Sequence, residues 1–148
     1  MKTTKKNLKY QSPGINEVSR YEKLHTVTFE NSKEASDSIA REICDLVKAK
    51  KEKNKSCVIG FATGSSPTKV YQEIIRIHKE ESLSFKNVIA FNLDEYFPIN
   101  KDDKNSYHHF MKENLFDHID IPLENINIPS GEIKENQVKK YCIQYEKK

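Results

Sequence analysis

The sequence of 148 residues has few cysteines and no long apolar run, and each absence excludes a class of protein. Its three cysteines, Cys44, Cys57 and Cys142, are too few and too widely spaced for a disulfide framework or a CxxC metal site. Cys44 and Cys57 stand among apolar residues, which predicts small buried side chains in a reducing compartment. No metal site is predicted from these residues.

No apolar stretch approaches the roughly 18 residues that a membrane-spanning helix requires. The amino terminus also lacks the apolar core of a secretory signal, so we expect a cytoplasmic chain with no membrane partner. The charges are nearly balanced, with 25 basic and 22 acidic residues and a net charge of +3. Such a balance gives no electrostatic footprint for nucleic acid, and none is expected as a partner.

The chain changes character near residue 25. Residues 1 to 25 are polar and aperiodic, which predicts an N-terminal extension, whereas residues 26–148 alternate apolar runs with helical patterns. Ser32 is the expected N-cap of a first helix. The apolar positions expected to face inward on that helix are Ala35, Ile39, Ile43, Leu46 and Val47.

Three further apolar runs predict buried strands, at residues 56–62 and 87–93 and in the short stretch "NINIP". Helices are expected after Pro67, after Ser106 and from Val138 to the end of the chain. Strands alternating with helices imply an α/β fold with a parallel sheet. In such sheets, ligands bind at the carboxyl ends of the strands, which is where two polar motifs fall.

The first motif is "TGSSPT", which follows the strand at 56–62. Hydroxyl groups, free backbone N–H groups and the positive end of a helix dipole together suit a phosphate dianion. The spacing is neither that of a nucleotide P-loop nor that of a dinucleotide fingerprint. The alternative is a turn in which the hydroxyls only cap their own helix, and the local sequence leaves both interpretations open.

The second motif is "FNLDEYF", in which a buried strand delivers Asp94 and Glu95 to its carboxyl end. Adjacent residues of an extended chain point in opposite directions, so only one carboxylate is expected to enter a given pocket. A carboxylate shielded by apolar neighbours should have a raised pKa and could act as a general base. The alternative is that Asp94 caps the next turn and Glu95 pairs with a lysine.

Together the two motifs resemble the glucosamine-6-phosphate deaminase family, within the superfamily of sugar-phosphate isomerases and 6-phosphogluconolactonases. The resemblance covers most of Ile59 to Gly131 and includes "TGSSPT", "SFKNV", "FNLDEY" and "LFDHIDIP". It implies a Rossmann-like α/β fold and the conversion of glucosamine 6-phosphate and water to fructose 6-phosphate and ammonia. It also implies that no cofactor is needed.

The resemblance assigns roles to particular residues. Thr63, Gly64, Ser65 and Ser66 match the loop that contacts the substrate phosphate. Asp94 matches the aspartate that moves a proton between C1 and C2 of the open-chain sugar, as the catalytic base. Glu95 completes the same catalytic motif, with a less defined role.

Members of the family continue into a second half with Asp-Gly-His and Asn-Glu-Pro segments, which these 148 residues do not contain. We therefore expect residues 26–148 to be the N-terminal half of the deaminase domain, a truncated sheet that alone binds sugar phosphate weakly or not at all and does not deaminate. Whether a full-length form assembles into a homo-oligomer is left open by the sequence. The alternatives are a 6-phosphogluconolactonase-like hydrolase, a non-catalytic sugar-phosphate sensor and an interaction fragment without a ligand.

Overall fold

Three parallel strands form a single sheet in the order β1–β2–β3 in the computed structural model, which describes residues 27–148. β1 is Cys57–Phe61, β2 is Val88–Asn92 and β3 is Ile126–Asn127. The three predicted strands and their parallel arrangement are thus confirmed. The predicted polar extension at residues 1 to 25 lies outside the described residues.

Four α-helices flank the sheet in the described part of the chain. They are α1 (Ser32–Glu52), α2 (Thr68–Glu81), α3 (Tyr107–Asn114) and α4 (Val138–Tyr145). Side chains of α1, α2 and α3 share one apolar core with alternate residues of β2, among them Val88 and Ala90. Phe91 points to the opposite face, where its ring centroid lies 6.1 Å from that of Tyr145 on α4.

The first helix begins one residue earlier than predicted and buries only part of the face that the spacing predicted. Asn31 is its N-cap and accepts a hydrogen bond from the Glu34 amide at 3.0 Å, so the expectation for Ser32 was wrong. Val47 is buried and Ile43 packs against the core, as predicted, but Ile39 and Leu46, which were expected inside, are 46% and 47% exposed. The inward face consists of smaller or shorter side chains, which let α1 approach its neighbours closely. They are Ser36, Ala40, Cys44 and Val47.

The second face of the sheet is covered only in part by the described residues. Val58 of β1 points to that face and is 63% exposed, whereas Cys57 is buried in the core that includes residues of α1 and α2. Within residues 27–148, β1 pairs with β2 alone, and its outer edge carries backbone groups without a partner strand. Parallel sheets are normally covered on both faces, so this face has the character of an interface. No helix within residues 27–148 has the length and apolarity to cross a membrane.

Candidate active site at the carboxyl edge of the sheet

The carboxyl ends of the three strands are tied together by two polar side chains. Phe61 and Asn92 are register partners at the ends of β1 and β2, and the buried Asn92 amide donates to the Phe61 carbonyl at 2.9 Å. The Tyr145 hydroxyl lies 2.8 Å from the Asn92 carbonyl and 3.0 Å from that of Asn127, so it bridges β2 and β3. The polar segments that follow β1 and β2 therefore start from a fixed edge.

The loop after β1 contains "TGSSPT" and turns sharply at Gly64. Gly64 has a φ of +96°, a left-handed conformation that favours glycine. Its carbonyl accepts a hydrogen bond from the Thr68 hydroxyl at 3.3 Å, and the buried Tyr71 hydroxyl donates to the carbonyl of Ala62. Two side chains from the first turn of α2 thus hold the start of the loop.

The serines of this loop do not cap the helix that follows. Pro67 occupies the N-cap position of α2, and no side-chain hydrogen bond caps the helix. Within the described residues, neither the Ser65 nor the Ser66 hydroxyl makes a hydrogen bond, and both residues are exposed. The first-turn amides of an α-helix have no intrahelical acceptor. The hydroxyls and the amides together therefore leave an unfilled set of donors at the end of β1.

The two adjacent carboxylates after β2 lie in different environments, as the alternation of an extended chain predicts. Asp94 is exposed at the sheet edge. The Glu95 side chain is 1% exposed, and its Oε1 accepts from the amides of Tyr96 and Tyr107 at 2.9 and 2.8 Å. Its Oε2 accepts from the amide of His108 at 3.1 Å and lies 2.9 Å from the Nδ1 atom of the same residue.

The pKa of the shielded carboxylate is lowered, contrary to the sequence-based expectation. Burial by itself would raise the pKa of Glu95, but the hydrogen bonds from the Tyr107 amide, the His108 ring and the other two amides outweigh it. Glu95 is therefore ionised in the folded chain. Its partner is a histidine and not the lysine that the alternative interpretation proposed.

A cleft of about 200 Å³ opens beside Asp94, between the segment after β2 and helix α4. Its walls are largely apolar and aromatic, and Asp94 and Glu146 place carboxylates in them. The loop at 63–66 does not contribute to these walls, so the structure brings the two motifs to one edge without enclosing them in one pocket. The cleft is lined by Leu93, Asp94, Glu95, Phe97, Pro129, Ser130, Ile133, Val138, Tyr141, Cys142, Tyr145 and Glu146.

Sequence reasoning missed two residues that build this edge. Asn92 falls at a buried position of β2, in alternation with Val88 and Ala90, so a polar residue at that point was a detectable signal. His108 is the other missed residue. Its contact with Glu95 spans 13 positions of the chain, and no local pattern predicts it.

Comparison with known proteins identifies the family. Residues 30–148 match the family described as glucosamine-6-phosphate isomerases/6-phosphogluconolactonase. The chain belongs to this family. A glucosamine-6-phosphate deaminase of Borrelia garinii subsp. bavariensis is 44% identical over 122 residues, which are 82% of this chain and 44% of the relative. A glucosamine-6-phosphate deaminase of Oceanobacillus iheyensis is 41% identical over 123 residues, with 83% and 47% covered.

Solved structures give the same fold. A monomeric glucosamine-6-phosphate deaminase superposes with a TM-score of 0.77 and 35% identity, over 84% of this chain and 49% of that protein. The 6-phosphogluconolactonase of Thermotoga maritima superposes with a TM-score of 0.63 and 19% identity, over 80% of this chain and 50% of that protein, which shows the fold alone. The chain spans 44% and 47% of the lengths of these two curated deaminases. The Rossmann-like α/β fold expected from the sequence is confirmed, and the described residues form a three-stranded part of it.

Proposed function

We propose that this chain forms the phosphate-binding and proton-transfer side of a glucosamine-6-phosphate deaminase site. The observation that carries the proposal is the registered pair Phe61 and Asn92, which places the donors of residues 63–66 and the carboxylate of Asp94 at one edge of the sheet. Relatives at 41% and 44% identity that are named glucosamine-6-phosphate deaminases support the choice of substrate.

The phosphate is assigned to the loop Thr63–Gly64–Ser65–Ser66. A phosphate dianion needs several hydrogen-bond donors and a favourable field, and both are supplied by exposed hydroxyls and by first-turn amides at the start of α2. The turn at Gly64 lets the backbone curve around such an anion. The unused hydroxyls of Ser65 and Ser66 favour this role over simple helix capping.

Asp94 is assigned the proton transfer in the open-chain sugar. The C2 proton moves by way of the carboxylate to C1, and a proton of the amino group moves to O1, which leaves a hydroxymethyl carbon and an imine at C2. Addition of water to the imine then releases ammonia and leaves the ketone of fructose 6-phosphate. Asp94 suits the transfer because it is exposed at the edge, whereas both oxygens of Glu95 are already occupied.

The described unit is further proposed to be the N-terminal half of the deaminase domain, over residues 26–148. Two observations support this: the exposed face around Val58, and the share of 44% to 49% of the longer relatives that the chain covers. A pocket with walls from both halves would hold the substrate on more sides than this edge does. The chain alone is therefore expected to bind glucosamine 6-phosphate weakly and not to release ammonia from it.

Amide NMR of the 15N-labelled chain during titration with glucosamine 6-phosphate tests the phosphate assignment. Shift changes are expected at residues 63–70 and should be lost in a Ser65→Ala/Ser66→Ala double variant. Ser38→Ala, which removes an exposed hydroxyl from α1, is the matched control and should leave the changes intact. Shift changes that survive in the double variant would contradict the assignment.

Turnover separates the deaminase from the other functions that the sequence left open. No ammonia is expected from glucosamine 6-phosphate with the 148-residue chain, and measurable release would overturn the half-domain proposal. Hydrolysis of 6-phosphogluconolactone that persists in Asp94→Asn would favour a lactonase, whose chemistry needs no proton shuttle. The chain can also be combined with the C-terminal half of a relative. If glucosamine 6-phosphate then binds at residues 63–70 but is not turned over, the result would favour a sensor.

The remaining assignments follow from the substrate. A phosphorylated sugar is charged and does not cross a membrane unaided, so we infer a cytoplasmic location for its enzyme. A homo-oligomer of a longer form stays a prediction, and the solved deaminase relative is a monomer. The absence of nucleic-acid partners, metals and cofactors also stays a prediction.

A further inference from the structure

The connection from β2 to α3 is long for a compact domain and carries Asp94 near its start. β2 ends at Asn92 and α3 begins at Tyr107, so residues 93–106 connect them. Connections of this length generally need internal ties to hold one conformation. The position of Asp94 therefore depends on what fixes the backbone immediately after it.

Glu95 supplies that tie. Its two carboxylate oxygens accept hydrogen bonds from the amides of Tyr96, Tyr107 and His108 and from the His108 ring, at distances between 2.8 and 3.1 Å. Two of the amides, those of Tyr107 and His108, belong to the first turn of α3 and have no intrahelical acceptor. A carboxylate at that end of a helix is also favoured by the helix dipole.

Helix α3 is in turn fixed to the core. Met111 and Leu115 at its far end are fully buried, and the buried Ser106 caps it by accepting from the His109 amide at 3.0 Å. Contact therefore runs without a break from the core through α3 to the carboxylate of Glu95. The next residue toward the strand is Asp94, which is exposed and lines the cleft beside α4.

We propose that Glu95 and His108 form a positioning pair, which fixes the backbone that carries Asp94, and that Glu95 does not contact the substrate. This inference deepens the proposed function and rests on it for the role of Asp94. His108 contributes by keeping Glu95 in place. Its Nδ1 atom bonds to the Oε2 atom of Glu95, and because the Glu95 side chain is buried, no water could replace that bond.

Local order in the 148-residue chain tests the proposal through two NMR measurements. In Glu95→Gln, one acceptor oxygen becomes an NH₂ group, so the amides of Tyr96, Tyr107 and His108 should exchange with solvent about tenfold faster than in the natural chain. The Cys57 amide, which bonds to the Asn87 carbonyl at 2.8 Å, should change far less. The heteronuclear NOE of the Asp94 amide should fall toward the values of a flexible loop.

Two further comparisons make the result specific. His108→Asn keeps an N–H donor near the position of Nδ1 and should retain exchange rates within about threefold of the natural chain, whereas His108→Ala should match Glu95→Gln. Glu113→Gln removes an exposed carboxylate from the same helix, where it lies 3.1 Å from His109, and should leave Asp94 unchanged. Equal acceleration of exchange throughout the chain, or an unchanged NOE at Asp94 in Glu95→Gln, would overturn the proposal.

Failure of this proposal can be told apart from failure of the proposed function. The titration with glucosamine 6-phosphate reports on residues 63–70, and its outcome does not depend on how residues 93–106 are held. If that titration gives no shift changes while exchange at Tyr107 rises as expected, the positioning role stands and the assigned substrate is wrong. The reverse result rejects the positioning pair alone.

Discussion

Asn92 donates a hydrogen bond from its buried amide to the carbonyl of Phe61, its register partner across the sheet, at 2.9 Å. This side-chain bond joins β1 and β2 where their main-chain pairing ends, one residue before the segment that carries Asp94. The Oδ1 atom of Asn92 is buried without a hydrogen-bond partner in the described structure, which is an energetic cost. Retaining a polar group there is consistent with a role in shaping the edge.

Replacing Asn92 by Ala should therefore destabilise the chain and loosen the edge. The change leaves the Phe61 carbonyl buried without its donor, and we expect a loss of about 1–3 kcal/mol in the free energy of unfolding. Urea denaturation measures the loss. Asn87 lies at the opposite end of the sheet, and its side-chain amide donates over longer distances, 3.2 and 3.3 Å, to the carbonyls of Val47 and Lys55. Asn87→Ala should therefore lower the free energy of unfolding by less and leave the amide shifts of residues 61–66 unchanged. Equal shift changes from the two variants would contradict the local role of Asn92.

Gly64→Ala should destabilise the chain through the backbone and not through a steric clash. A Cβ at Gly64 would meet no atom within 4 Å, but its φ of +96° is strained for alanine. A cost of about 1–2 kcal/mol is expected from thermal or urea unfolding. Gly60→Ala is the matched control, since that position in β1 also has open space and lacks a positive φ. It should be neutral or stabilising by up to about 1 kcal/mol, and an equal loss in both variants would contradict the argument.

Native-state alkylation should separate the cysteines sharply. Burial raises the pKa of Cys44 to about 12, so its thiolate is almost absent near neutral pH, and burial also raises the pKa of Cys57. Cys142 is exposed on α4. Mass spectrometry after iodoacetamide treatment at about pH 8 should find one label, at Cys142, and three labels after denaturation in urea. Rapid labelling of Cys44 in the native chain, with Cys142→Ser as the control, would contradict its buried environment.

The limits of prediction from sequence are visible in α1 and in Glu95. Apolar runs and helical spacing predicted the strands, the helices and the sheet edge, because burial imposes periods that the sequence records. The inward face of α1 was predicted only in part, because Ser36, a polar residue, is buried and satisfies its hydroxyl on the Ser32 carbonyl at 2.8 Å. The partner of Glu95 lies 13 positions away, so only the folded loop reveals it.

Asp120 should make the stability of the chain depend on pH in the acid range. Its carboxylate accepts from the Phe85 amide at 2.6 Å and from the Ser84 hydroxyl at 2.8 Å, which anchors the segment before β2. Burial opposes the effect, but these bonds and the His78 ring at 3.9 Å hold the pKa of Asp120 below its ordinary value of 3.8. The unfolded chain therefore binds the proton first as the pH falls. The stabilisation is complete above the ordinary value and is lost as the pH falls through the native pKa.

Asp120→Asn removes this stabilisation and provides the test. The difference in unfolding free energy between the natural chain and the variant should be about 1–3 kcal/mol near neutral pH. It should narrow as urea denaturation is repeated below pH 3.8, where the natural carboxyl becomes protonated. Asp117→Asn, which removes a 55% exposed carboxylate 4.0 Å from Lys112, should change stability by less than about 1 kcal/mol at every pH. A difference for Asp120→Asn that stays constant down to pH 3 or lower would show that its carboxylate contributes through shape and not through charge.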